Sequence, residues 1–255
     1  RHLQSWTVAR LAGAPKVASN NIEESGRWTT GEWLETDGVS RARIDVANIG
    51  RVEVAPNSRL RLVETNESEH RLALVRGKIQ ASISAPPRLF FVDTPSAVAV
   101  DYGCAYTLEV DEHGRSFLHV TAGWVALEAQ GRESFVPAGA MCASEPGKAP
   151  GTPYFSDAQD KFRHALIELD FGNNESSRRA ALDTVINEAR KRDALTLWHL
   201  LARVSDVERV RVYKRLAVLV PPPEDITREG VLNLDKEMLR LWKEKLEQVW
   251  NEDAV

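Results

Sequence analysis

The stretch Arg41-Ala-Arg-Ile-Asp-Val-Ala-Asn-Ile-Gly-Arg-Val-Glu-Val54 decides how the first part of this 255-residue chain is read. Ala42, Ile44 and Val46 point to one side while Arg41, Arg43 and Asp45 point to the other, the period of two that marks a half-buried strand. Gly50 breaks the run, and Val52 and Val54 resume it. Outward from here the same alternation recurs in Leu60 and Leu62, in Leu72 and Leu74, and in Ile79, Ala81 and Ile83. Pro56-Asn57 and Thr65-Asn66 supply turn chemistry between these runs. Arg88-Leu-Phe-Phe-Val92 runs into Asp93-Thr-Pro95, where proline ends a strand or holds it at an edge, and Val98, Val100 and Tyr102 take it up again. Glycines at 38, 50, 77, 103, 114, 123, 131 and 139 punctuate the ladder at roughly the 8–12 residue interval of an all-β body. Rungs this short either stack as a twisted β-solenoid or fold as a β-sandwich, and periodicity alone does not choose.

The architecture changes near residue 151. Thirteen of the fifteen glycines lie at or before Gly151, and Pro146-Gly-Lys-Ala-Pro-Gly-Thr-Pro153 is a stiff linker. Beyond it the apolar period is helical: Phe162, Ala165, Leu166 and Leu169 mark one face, and Leu182, Val185, Ile186 and Ala189 a second. Asp193 is the predicted N-cap for the helix carrying Leu197, Trp198, Leu200 and Leu201, and Asp206 for the helix carrying Val207, Val210 and Leu216. Pro221-Pro-Pro223 stops that helix, and a last one runs from about Asn233 or Asp235 to Trp250. The expected organisation is a lead-in over 1–30 that adds one strand near Ile22 to Trp28, an all-β domain over 31–145, a linker over 146–155, and a small all-α domain of helical hairpins over 156–255.

Composition bounds the function. Hydrophobic residues make up 43% and charged residues 27% of the chain, the balance of an ordered globular protein. No run approaches the eighteen or so apolar residues of a membrane span. Up to residue 155 there are 16 basic and 18 acidic residues, and 17 and 19 beyond it, so neither part has the basic excess that drives affinity for a phosphate backbone. Nucleic acid is not an expected partner.

Several pieces, in order, resemble the FecR-like domain of bacterial envelope signalling proteins: Gly31-Glu-Trp-Leu-Glu-Thr-Asp-Gly38, Ser40-Arg-Ala-Arg-Ile44, Gly50-Arg-Val-Glu-Val-Ala-Pro-Asn57, Arg71-Leu-Ala-Leu-Val-Arg-Gly77, Phe91-Val-Asp-Thr-Pro95, Val120-Thr-Ala-Gly-Trp-Val125 and Val136-Pro-Ala-Gly139. The resemblance covers roughly residues 30–143. It implies the periplasmic or extracytoplasmic part of a membrane-anchored regulator of the anti-sigma-factor type, with the anchor expected before Arg1. It also implies a protein partner in the envelope or membrane, and a sigma factor reached only through a cytoplasmic region outside this chain. The helical tail stands where iron-siderophore regulators of the family carry a small receptor-docking domain.

Catalytic and metal motifs are missing. His113 and His119 are the one close pair of histidines in the β region, without the tight His-x-His spacing and further ligands of a β-body metal site. No nucleophile elbow, phosphate loop or dinucleotide fingerprint occurs, and Asp93 with Asp101, or Glu109 with Asp111, read as solvated strand faces rather than a hydrolytic carboxylate pair. The chain is therefore expected to be no enzyme and to need no cofactor. Three features carry expectations of another kind. Cys104 and Cys142 either pair, closing a loop of about 39 residues worth roughly 4 kcal/mol, or serve as two small buried side chains. Trp33, Trp124 and Tyr106 either form a stacking patch, as in an envelope polysaccharide-binding module, or fill the core. Trp250, with Lys243 and Lys236, is the predicted partner surface of the tail.

Overall fold

The computed structural model describes residues 5–252, in two compact units that divide between Pro150 and Gly151. In the β unit, one sheet takes β1 (Ser5–Ala12), β4 (Ser25–Thr29), β6 (Arg41–Val46), β7 (Gly50–Val54), β12 (Ala105–Val110), β13 (Ser116–Ala122) and β16 (Ala140–Ser144). The other takes β2 (Lys16–Val17), β3 (Asn20–Asn21), β5 (Trp33–Glu35), β8 (Arg59–Thr65), β10 (Phe90–Asp93), β11 (Val98–Asp101), β14 (Trp124–Ala129) and β15 (Arg132–Pro137). The long strand β9 (His70–Ile83) belongs to both. Its first half pairs with β8 and, in parallel, with β10; its second half pairs antiparallel with β7 and β12.

The hinge of β9 follows from its sequence. His70, Leu72 and Leu74 point into the core, and so do Ile79, Ala81 and Ile83, so the inward parity switches from even to odd between them. An extra residue at Val75 breaks the register against β8, and Gly77 sits at φ +95° hard against Ser58. The strand thus crosses from one sheet to the other, and the hairpins after it alternate: β10–β11 in the second sheet, β12–β13 in the first, β14–β15 in the second. By layers this is a sandwich whose facing residues make one core, with Trp6 of the first sheet 6.4 Å from Phe90 of the second. By progression along the chain it advances rung by rung, as a solenoid does.

The lead-in does more than add one strand. Residues 5–29 supply β1 to β4, and β1 lies inside the first sheet between β4 and β6. Trp6 and Trp28 from this segment are 2% and 0% exposed, so it is part of the core.

The second unit is built from α1 (Asp160–Phe171), α2 (Glu175–Glu188), α3 (Ala194–Leu201), α4 (Asp206–Leu219), a short α5 (Arg228–Leu232) and α6 (Lys236–Glu252). α1 packs on α2 and α3 on α4, as short connections dictate, and α6 packs on α3. Two predicted caps differ. Ser205, not Asp206, caps α4 through a reciprocal capping box with Glu208, while Asp193 turns its carboxylate to the Arg190 backbone and guanidinium instead of the helix that follows it. Arg209, only 9% exposed, donates to the carbonyls of Leu201 (2.7 Å) and Leu232 (3.0 Å), binding the end of α3 and the end of α5 to α4.

Candidate functional site

Among the described residues no three His, Cys, Asp or Glu side chains gather to hold a metal ion. The carboxylate pairs considered from sequence are spent elsewhere: Asp93 on Arg71, Glu109 on Lys78, Asp111 on Arg115.

Asp101 is the exception in kind. It is 1% exposed and accepts the Gly103 N–H and the Cys104 S–H, each at 2.7 Å. Burial pushes its pKa up to about 6, against the lowering effect of those two hydrogen bonds. Burial, and then the neighbouring Asp101, also push the Cys104 thiol and the Tyr106 hydroxyl up. The Tyr106 hydroxyl has no hydrogen-bond partner among the described residues.

Cys104 and Cys142 are both buried and do not form a disulfide. The register explains why. Cys104 immediately precedes β12 and Cys142 lies on β16, and β13 runs between those two strands. Two strand spacings are about 9–10 Å, beyond the roughly 7 Å between Cα atoms that a disulfide spans. The reading of two small buried side chains is the one that fits.

The three aromatic residues are not brought together. Tyr106 is 1% exposed in the core. Trp33 lies on β5 beneath the Arg59 guanidinium, 4.1 Å from the ring centroid, and Trp124 on β14 stacks on Tyr102 with centroids 3.6 Å apart. Nor does α6 present the predicted surface. Trp250 is 2% exposed, on an inward stripe with Trp242 and Leu246 at helical spacing, so the final turn does not release it. Lys243 is paired with Glu247 at 3.0 Å, and Lys236 stands exposed at the start of the helix.

The feature of the helical unit that sequence reading missed is a groove of about 800 Å³ between α2 and the α3–α4 turn. Four arginines line it: Arg178 and Arg179 from α2, Arg203 from the turn, and Arg211 from α4. Arg179 pairs with Glu175 at 2.6 Å, Arg211 with Asp183, and Arg203 donates to Thr152. Arg178 spends its Nε on the Leu169 carbonyl at 3.0 Å. Glu208 is held below the usual carboxylate range, first by its bond from Ser205 and further by Arg178 and Arg179. Val207, 78% exposed, stands at the mouth. Four guanidinium groups face three carboxylates (Glu175, Asp183 and Glu208) around an apolar residue. Arg178 and Arg179 are adjacent, but Arg203 and Arg211 join them only through the helix packing, so no local motif marks the groove.

Residues 32–126, from β5 into β14, match the family model described as FecR protein. This part of the chain is FecR-like. The FecR-like region takes in the β9 crossing and the β10–β13 hairpins, while β1 to β4 and the helical unit lie outside the match. Two crystal structures of a candidate anti-sigma factor from Parabacteroides distasonis, at 1.65 and 2.50 Å resolution, are similar to the chain, each with 11% identity and a TM-score of 0.43. Each similarity covers 53% of this chain and 64% of the other, so the chain spans less than two thirds of that protein's length. No curated protein matches the chain. No helix among the described residues is long and apolar enough to cross a membrane.

Proposed function

We propose that the chain is a non-enzymatic sensor and regulatory module of a membrane-anchored signalling protein of the anti-sigma-factor type, acting outside the cytoplasm through protein contacts. The FecR match over residues 32–126 carries this reading. The β unit is the platform, and the arginine groove of the helical unit is the contact surface, suited to an acidic partner segment with one apolar residue for Val207. Such a module must bind its partner unequally in two states, because equal affinity shifts no equilibrium.

The test is genetic. In the source cell, the intact protein carrying Arg179→Glu and Arg211→Glu should mis-regulate one coherent set of promoters in a transcriptome, with protein level and melting temperature unchanged. A transcriptome indistinguishable from that of the parent, even on deletion of the whole gene, refutes the regulatory role. An alkaline phosphatase fused after residue 255 should be active; an inactive but intact fusion refutes the location.

A further inference from the structure

A second cavity, of about 440 Å³, opens at one end of the β unit. It lies between the β6–β7 turn (Ala47 to Ile49), the β8–β9 turn, Leu89 before β10, and Ser5 at the start of β1. Trp6 and His70, 2% and 8% exposed, line it. Thr65 joins them: Trp6 Nε1 donates to its Oγ1 at 2.9 Å, and that oxygen lies 2.8 Å from His70 Nδ1.

This arrangement fixes the histidine's proton. Thr65 is 5% exposed, and its oxygen already receives the Trp6 N–H. If His70 also donated to it, the hydroxyl hydrogen would be left without an acceptor among the described residues; the hydroxyl therefore donates to Nδ1, and the ring proton sits on Nε2. Burial lowers the His70 pKa, consistent with a neutral ring. Nε2–H has no partner among the described residues, so a ring more than nine-tenths buried offers an unused donor to the cavity it lines. The group faces the open cavity rather than a sealed interior, so a carbonyl acceptor there would take the place of water.

The remaining lining narrows the acceptor. Ile49 and Leu89 are apolar. Asn66 closes its own turn, accepting from the Ser68 and Glu69 backbones, which leaves Asn48, Glu67 and Ser5 as the polar rim. Among the described residues no Lys or Arg lines the cavity, and the Glu67 carboxylate opposes an anion. The described lining favours an uncharged ligand with a carbonyl at its inner end, a small apolar group beside it, and N–H or O–H groups at its outer end. We infer that this cavity takes the acetamido group of an N-acetylated amino sugar: the carbonyl on His70 Nε2–H, the methyl against Ile49 and Leu89, and the sugar hydroxyls at Asn48 and Glu67. The cavity volume suits a single sugar ring.

The experiment is an NMR titration of the full ¹⁵N-labelled chain with N-acetylglucosamine to tens of millimolar, following the Trp6 indole N–H and the His70 ring nitrogens. Both should shift saturably, while glucose and glucosamine leave them in place. Asn48→Trp, on the exposed rim and clear of the Trp6–Thr65–His70 chain, should weaken binding about tenfold or more with the fold intact. No saturable shift, or an equal one with glucose, overturns the inference. Equal binding of acetamide or Nε-acetyl-lysine overturns the sugar assignment. The titration needs no partner protein, so its failure leaves the regulatory reading standing, and a failed transcriptome test leaves the cavity standing.

Discussion

Asp101→Asn should remove a pH-dependent penalty that the β unit carries at neutral pH. The native carboxyl has a pKa of about 6, against the ordinary 3.8, because burial in a site 1% exposed to solvent disfavours its ionised form. A raised acid works in the opposite sense to the usual salt-bridged aspartate. Above pH 6 the unfolded chain ionises freely while the native one ionises against burial, so the native state is penalised. As pH falls from 7 through 6 toward 4, that penalty disappears and stability rises. A displacement of this size corresponds to about 3 kcal/mol. Asparagine keeps an oxygen for the Gly103 N–H and carries no charge, but it sets an NH2 against the Cys104 S–H at a cost that does not change with pH; the variant-minus-parent stability should therefore rise by about 2–3 kcal/mol from pH 4 to pH 7. Urea unfolding at a series of pH values, read by hydrogen exchange of peptides from β11 to β13, isolates the β unit from the helical one. Burial lowers the pKa of both His70 and His199, so each destabilises the fold as pH falls below its unfolded value of about 6.5, but it does so equally in parent and variant. A parent–variant difference that stays constant between pH 7 and 4 would refute the assignment of a strained buried charge at Asp101.

Three other substitutions test the packing. Gly77→Ala places a Cβ 2.2 Å from Ser58 Oγ at φ +95°, so it should cost about 3 kcal/mol and lower the urea midpoint of the β unit. Tyr106→Phe removes a buried hydroxyl that has no partner among the described residues and should gain about 1 kcal/mol in the same assay. Arg209→Met strands the Leu201 and Leu232 carbonyls and should lower helical-unit stability by about 2–4 kcal/mol in a far-UV circular dichroism melt; an unchanged melt would show that those contacts carry no net stability.

Strands and helices were legible because their periods are local. Ala42, Ile44 and Val46 bury as the alternation predicts, and Phe162, Leu166 and Leu169 bury as the helical period predicts. The parity switch between Leu74 and Ile79 around Gly77 is visible in the sequence and marks the crossing of β9, although a glycine between two alternating runs ordinarily separates two strands. Ser205-x-x-Glu208 is likewise a capping-box signature in the sequence itself. The lead-in was under-read because β2 and β3 are two residues each, too short to alternate. The sites were not legible for a different reason. Trp6 and Thr65 are 59 residues apart, and the arginines of the helical groove come from two helices and a turn, so only the fold assembles them. The placement of Trp250 failed on an assumption of fraying, whereas its spacing from Trp242 and Leu246 had already placed it on the inward stripe.

The two ends of the β unit differ in a way that bears on where a signal could act. β10 begins beside His70, at the cavity, and ends at Asp93. Just beyond, four buried or half-buried hydroxyls form one directed chain. Ser116 donates to Thr94, and Thr94 to the Ala97 carbonyl, so Ser96 must donate to Ser116 and Ser144 to Ser96. Every hydroxyl hydrogen in that chain has an acceptor, and the chain ties β13 and β16 of one sheet to the β10–β11 turn of the other. A satisfied polar network in a low-dielectric interior holds a single arrangement, because shifting any member leaves the rest unmet. The cavity end has the reverse character: its polar chain ends at His70, whose Nε2 faces the open cavity, and its walls are turns. A sugar bound at millimolar strength supplies only about 4 kcal/mol in all, and only its differential affinity for two states moves an equilibrium. That is too little to rearrange the hydroxyl chain, and the groups such a ligand would touch are those of the β6–β7 and β8–β9 turns. A ligand-driven change in this unit would therefore be a change of its turns on a fixed sandwich.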